Sequence, residues 1–164
     1  MVIASDPSVV FKLLTTVKDP EIPVLNVVDM GVIRRVEIVN DIIEVDITPT
    51  YSGCPAMDVI AANVRTTLER EFANKVKIAS VMFPPWTTDW LTEDARAKLM
   101  AYGISPPEKN SADKSLLFGH REAVVCPKCK STNTERISEF GSTACKAHYR
   151  CVDCKEPFDH FKCI

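Results

Sequence analysis

Two cysteine pairs constrain the last third of this chain more than any other feature. Cys126-Pro127-Lys128-Cys129 and Cys151-Val152-Asp153-Cys154 each set two thiols three residues apart, and the 21 residues between the pairs suffice for a returning β-ribbon. Soft thiolates in a tetrahedral set select zinc, and less often iron. With all four positions filled by protein, no site stays open for water, so a structural Zn2+ is expected on Cys126, Cys129, Cys151 and Cys154. A module of about 40 residues has too small a core to hold itself together and needs such a staple. Cys145 and Cys163 are additional thiols, and His148 and His160 are alternative ligands that four well-spaced cysteines make unnecessary.

The rest of the chain is long enough for one ordinary domain. At 164 residues and 46% hydrophobic content it can bury a real core. Net charge is −2, which exerts no global pull toward nucleic acid or an anionic membrane. Residues 1–119 carry 12 Lys and Arg against 16 Asp and Glu, and residues 120–164 carry 8 against 6. Four thiolates on a divalent ion add about −2, leaving the C-terminal module near neutral and a poor nucleic-acid binder. No apolar run reaches the length of a membrane span, and residues 1–6 lack the pattern of a signal peptide. Seven cysteines without an export signal read as reduced thiols or metal ligands, so a cytoplasmic location is expected.

Local patterns predict the element order. Ser5-Asp6-Pro7 is a helix start, followed by Val9, Val10, Leu13, Leu14 and Val17 at helical spacing. The prolines of Asp19-Pro20-Glu21-Ile22-Pro23 stop it. Strands over 32–39 and 42–48 flank Asn40-Asp41, a pair that tolerates the positive φ of a tight hairpin. A helix from Pro55 to about Phe72, a strand over 76–83 and a helix over about 92–102 ended by Gly103 follow. Strands are expected over 134–140 and 147–151. The fold class is therefore α+β: a small α/β domain (helix-strand-strand-helix-strand-helix) over 1–104, a linker over 105–123 and a zinc ribbon over 124–164.

Chemistry outside the ribbon gathers on two short motifs. Cys54 precedes Pro55 at a helix start, where free backbone N–H groups and the helix dipole favour a thiolate. It is equally readable as a small buried hydrophobe. Asp19 and Glu21 can cap a helix, pair with Arg34 or Arg35, or supply oxygen ligands; beside Cys54 they would form an incomplete mixed O/S metal site. Trp86 and Trp90, four residues apart, either cover a small core or anchor a partner. A thiol hydrolase would need a general base, and none accompanies Cys54 in its motif.

Asp19-Pro20-Glu21-Ile22-Pro23, Asp29-Met30-Gly31-Val32-Ile33, Thr48 and Gly53-Cys54-Pro55 together resemble the metal–sulfur cluster biosynthesis (SufT-like) family over about residues 8–103. Pro84-Pro85-Trp86-Thr87-Thr88-Asp89-Trp90, Gly103-Ile104-Ser105-Pro106-Pro107, and the tail from Phe140 to Cys163 are similar to the PaaD (PaaJ) family, whose members are associated with phenylacetyl-CoA epoxidase. Met30 stands where that family usually has Leu, a volume-conserving change. The resemblance implies an accessory protein of aerobic phenylacetate degradation. It would assist assembly of an iron–sulfur cluster or iron centre in the multicomponent 1,2-epoxidase. It implies the reductase and oxygenase components and the iron–sulfur assembly machinery as partners, a transient cluster or iron as cargo on Cys54, Asp19 and Glu21, and a homodimer as one route to completing a site. It does not imply epoxidation by this chain, which shows neither a Glu-x-x-His pair of the di-iron type nor a Gly-rich nucleotide loop. A stable structural component of the epoxidase without metal transfer is the alternative.

Overall fold

The computed structural model describes residues 2–108 and 124–162. It divides into two compact units, Met1–Trp86 and Thr87–Ile164.

In the first unit, Asp6 caps helix α1 (Pro7–Leu14) by accepting from the Ser8 N–H at 2.8 Å, and Pro7 occupies the first turn, where its missing N–H is harmless. The helix stops before Val17. The Thr15 and Thr16 hydroxyls donate to the Lys12 and Leu13 carbonyls, and the last turns tighten to three-residue hydrogen bonds. Strands β1 (Ile33–Val39) and β2 (Ile42–Ile47) form the expected antiparallel hairpin, with Asn40 and Asp41 at φ 49° and 61°. Helix α2 (Ala56–Glu71) then crosses over to β3 (Lys75–Ser80), which lies parallel to β2. The order β1-β2-β3 makes β2 central, and its alternation buries Ile43, Val45 and Ile47. Against that face α2 sets Ala56, Ile60, Val64 and Leu68, four residues apart, and α1 sets Val10 and Leu14. On the opposite face Arg35, Glu37, Glu44, Asp46 and Lys77 form an ion-pair lattice.

This topology gathers three loops. The parallel β2–β3 pair ends at Ile47↔Ser80, and β1 begins beside it at Ile33↔Ile47. The chain before β1, the loop after β2 and the loop after β3 therefore share one end of the sheet, the strand-carboxyl end where open α/β sheets seat ligands.

The second unit contains helix α3 (Glu93–Tyr102) and a four-stranded sheet in the order β4-β7-β6-β5. Thr92 caps α3 by accepting from the Ala95 N–H at 3.0 Å, and Gly103 at φ 93° ends it. Strand β4 (Ile104–Ser105) follows at once and pairs in parallel with β7 (Pro157–Phe161), which returns antiparallel to β6 (Lys146–Cys151). Strand β5 (Thr134–Ser138) closes the ribbon. The buried Arg96 guanidinium donates to the Thr88 and Pro107 carbonyls, fastening the segments on either side of α3. Through β4, α3 packs in the same compact unit as the ribbon. Most of the segment expected as a linker, and Cys163, lie outside the described residues. Among those described, no helix is long and apolar enough to cross a membrane.

Candidate metal centre and thiol site

Each C-x-x-C turn closes on itself. Lys130 and Lys155, the residues after the second cysteine of each pair, both take φ 64°, and the Lys130 N–H donates to the Cys126 carbonyl at 3.0 Å. The two turns face each other and bring four Sγ atoms within 4.8 Å of one another. Cys126 and Cys154 are 3.7 Å apart, and Cys129 and Cys151 are 3.5 Å apart. Tetrahedral ligation at about 2.3 Å requires sulfur–sulfur separations of about 3.8 Å, so the donor set fits Zn2+ by identity and by size. Val124 and Phe158 are buried around it, with Tyr149 packed alongside. The thiols are strongly coupled. The backbone N–H of Cys154 leads in bringing Cys151 down to about 7. The Ser131 N–H pulls Cys129 downward, but the neighbouring thiols and burial outweigh it and push Cys129 up to about 12. Crowding neutral thiols this closely is unfavourable without a cation, and the cluster is a metal site of the zinc-ribbon kind. Cys145 lies apart from it, buried, with Sγ 3.0 Å from the Thr143 hydroxyl. His148 faces Asp159 at 3.3 Å and His160 faces the Ser105 carbonyl at 3.1 Å, so neither joins the four-sulfur group.

Cys54 sits at the shared loop end of the first unit. Gly53, at φ 79°, turns the chain there, and the Cys54 N–H donates to the Tyr51 carbonyl at 3.3 Å. Pro55 precedes α2 without a side-chain cap. The thiol is half-buried, in electrostatic reach of both Glu21 and Asp19, so the fold does bring the two acids to it. Its ionisation runs opposite to the sequence-based expectation. Burial is the largest influence and raises the thiol above its ordinary value; the Ala56 N–H opposes this, Glu21 adds to the rise, the Tyr51 hydroxyl opposes it, and Asp19 adds again. The helix start does stabilise the sulfur, but desolvation and two carboxylates win.

The acids are held by the backbone. Asp19 is buried, and its Oδ1 accepts from the Glu21 and Ile22 N–H groups at 2.8 and 2.7 Å. Asn26 shapes the next turn, accepting from the Val28 and Asp29 N–H groups and donating to Asp29 at 2.7 Å. Trp86 is buried, and its indole N–H donates to the Met30 carbonyl at 2.8 Å, so it latches the loop after β3 to the turn before β1 instead of facing a partner. Trp90 is half-buried in the second unit. Sequence reasoning missed Tyr51, whose hydroxyl bonds the Cys54 sulfur. A hydroxyl three residues before a cysteine is too common to stand out. It also missed that Thr48, at the end of β2, buries a hydroxyl without a partner.

Residues 110–162 match the family model described as the PaaD zinc beta ribbon domain, and residues 7–80 match that of an iron-sulfur cluster assembly protein. A protein of Escherichia coli (strain K12), named as the D-type subunit of a 1,2-phenylacetyl-CoA epoxidase, is 46% identical over 155 residues, 94% of this chain and 92% of that protein. The chain belongs to the PaaD family. Its first unit has wider relatives. A protein of Porphyromonas gingivalis named as an Fe-S protein maturation auxiliary factor is 40% identical over 92 residues, 55% of this chain and 87% of that protein. Among solved structures, a domain of unknown function from Bacillus anthracis aligns with TM-score 0.53 at 25% identity, covering 57% of this chain and 90% of its own. A conserved hypothetical protein from Thermotoga maritima aligns with TM-score 0.51 at 26% identity, covering 60% and 98%. The family resemblance and the α+β fold with an appended ribbon are thus as the sequence motifs implied. This PaaD family member joins an iron–sulfur assembly domain to a zinc ribbon.

Proposed function

We propose that this chain is a maturation factor of the epoxidase system, carrying iron or an iron–sulfur unit on Cys54, with Asp19 and Glu21, to the metal-dependent components of the complex. The observation that carries the reading is the meeting of one half-exposed thiol with two carboxylates at the loop end of an iron–sulfur assembly domain. The set has one soft and two hard donors, too few and too mixed for permanent storage. That suits cargo which must leave. A cation arriving there meets two negative charges, and its binding displaces the thiol proton. Thr48, with its buried unpartnered hydroxyl, ends the strand that leads into the Cys54 loop.

In this reading the chain assists the epoxidase and does not itself activate oxygen. Cys126, Cys129, Cys151 and Cys154 hold a resident zinc, which supplies folding free energy and no chemistry. The work is cytoplasmic, beside the general iron–sulfur assembly machinery, and a homodimer would bring two copies of Cys54 to one cargo. Folding domains over 1–104 and 124–164, joined by a linker, belong to the same proposal.

The printed name of the Escherichia coli relative, an epoxidase subunit, favours a second reading, a stable structural component without metal transfer. Replacement of Cys54 by Ala in cells separates the two. A maturation factor predicts loss of iron from the purified epoxidase components and loss of growth on phenylacetate. A structural component predicts full metal content, normal growth and co-purification at fixed stoichiometry.

A further inference from the structure

The loop after β3 presents the most exposed aromatic side chain among the described residues. Phe83 is 87% exposed and its neighbour Met82 is 55% exposed. This is no frayed segment. Pro84 and Pro85 stiffen it, and the buried Trp86 pins its far end through the 2.8 Å bond to the Met30 carbonyl. Its near end is fixed by the Val81 N–H donating to the Ile47 carbonyl at 2.8 Å. An apolar tip is thus held in water on a braced stalk, where it loses little conformational freedom when it is buried by something else.

Its setting identifies what that something is. The loop leaves the sheet at the same end as the Cys54 loop, from the strand paired with β2. The three segments that meet there, residues 19–31, 48–55 and 81–86, contain Asp19, Glu21 and Asp29 and no lysine or arginine. An acidic surround repels nucleic acid and anionic lipid, and complements a basic one.

We infer that Met82 and Phe83 are the docking anchor for an acceptor protein, one that presents an apolar pocket rimmed by Lys or Arg next to its own empty metal-ligand site. This inference rests on the proposed cargo role of Cys54, because passing a metal between proteins by ligand exchange requires the acceptor to reach that end of the sheet. Phe83 fills the pocket, the carboxylates pair with the rim, and Cys54 faces the acceptor's ligands.

The test uses the full-length protein, a Phe83→Ser variant and a Val39→Ser variant. Val39 is also exposed, at 44%, but at the hairpin end of the same sheet. Binding of each to the other epoxidase components, purified without metal, is measured at low and high salt. Fe2+ loading of each and its removal by a small chelator are measured in parallel. The expected result is a loss on the order of thirtyfold in affinity for one metal-free component with Phe83→Ser and none with Val39→Ser. Wild-type affinity falls as salt rises, and Fe2+ loading and chelator removal are unchanged by either variant. Equal binding by wild type and Phe83→Ser would overturn the inference, as would the absence of any wild-type binding. So would a change confined to oligomeric state, which would make a second copy the occupant, or binding to anionic vesicles that depends on Phe83. Loss of Fe2+ loading in wild type with Phe83-dependent docking intact would sink the cargo role and leave the docking surface standing.

Discussion

At the scale of single residues, the decisive property is that Cys54 is a protonated thiol held beside two carboxylates. Its ionisation is raised first by burial and then by Glu21 and Asp19. Removing one negative charge must therefore lower it. Alkylation of Cys54 followed by mass spectrometry should show a pH midpoint above that of an ordinary thiol, moving down in Glu21→Gln; an unchanged midpoint would mean that the charge of Glu21 is not felt at the sulfur. The same substitution should weaken Fe2+ binding on the order of 10–100-fold, as losses of supporting ligands generally do. Asp6 gives a second titration with the opposite sign. Its carboxylate is held below the ordinary 3.8 by the Ser8 hydroxyl and N–H. A depressed folded-state value stabilises above about pH 4 and fades as pH falls through it. Asp6→Ala should thus lower the melting temperature at pH 7 and leave it unchanged near pH 2.

At the scale of elements, helix ends and turns carry measurable stability. Thr92→Ala removes the cap of α3 and should cost about 1 kcal/mol in chemical denaturation. Gly103→Ala meets open space but forces φ 93° on a residue with a Cβ, and should cost about as much. These were the legible features: Asp6-Pro7, Asn40-Asp41 and Gly103 carry their conformation in their own covalent structure. The elements that sequence reasoning missed depend on distant partners. Strand β4 is two residues long and exists because it can pair with β7, more than fifty residues away. Strand β7 itself follows a cysteine turn and has little periodicity of its own. Cys54 illustrates the same limit at the site. Its helix-start position was readable, but the burial and the two acids that reverse its ionisation come from tertiary packing.

For the whole molecule, the two units rest on different forces. The first unit has a conventional core in Leu14, Leu25, Ile43, Ile60 and Leu68, all fully buried. The sulfur end of the second unit has only a small cluster around Cys126 and Cys151. A strong chelator should therefore unfold the ribbon, removing on the order of 10 kcal/mol of binding free energy, while the amide spectrum of residues 2–86 persists. Loss of both sets of signals together would show that the units fold as one.

The most direct test of the central claim is a metal inventory after anaerobic purification, taken on wild type and Cys54→Ala side by side. The account predicts one zinc per chain in both proteins, and iron with its visible absorption in the wild type alone. Identical iron content in the two would contradict a cargo site at Cys54.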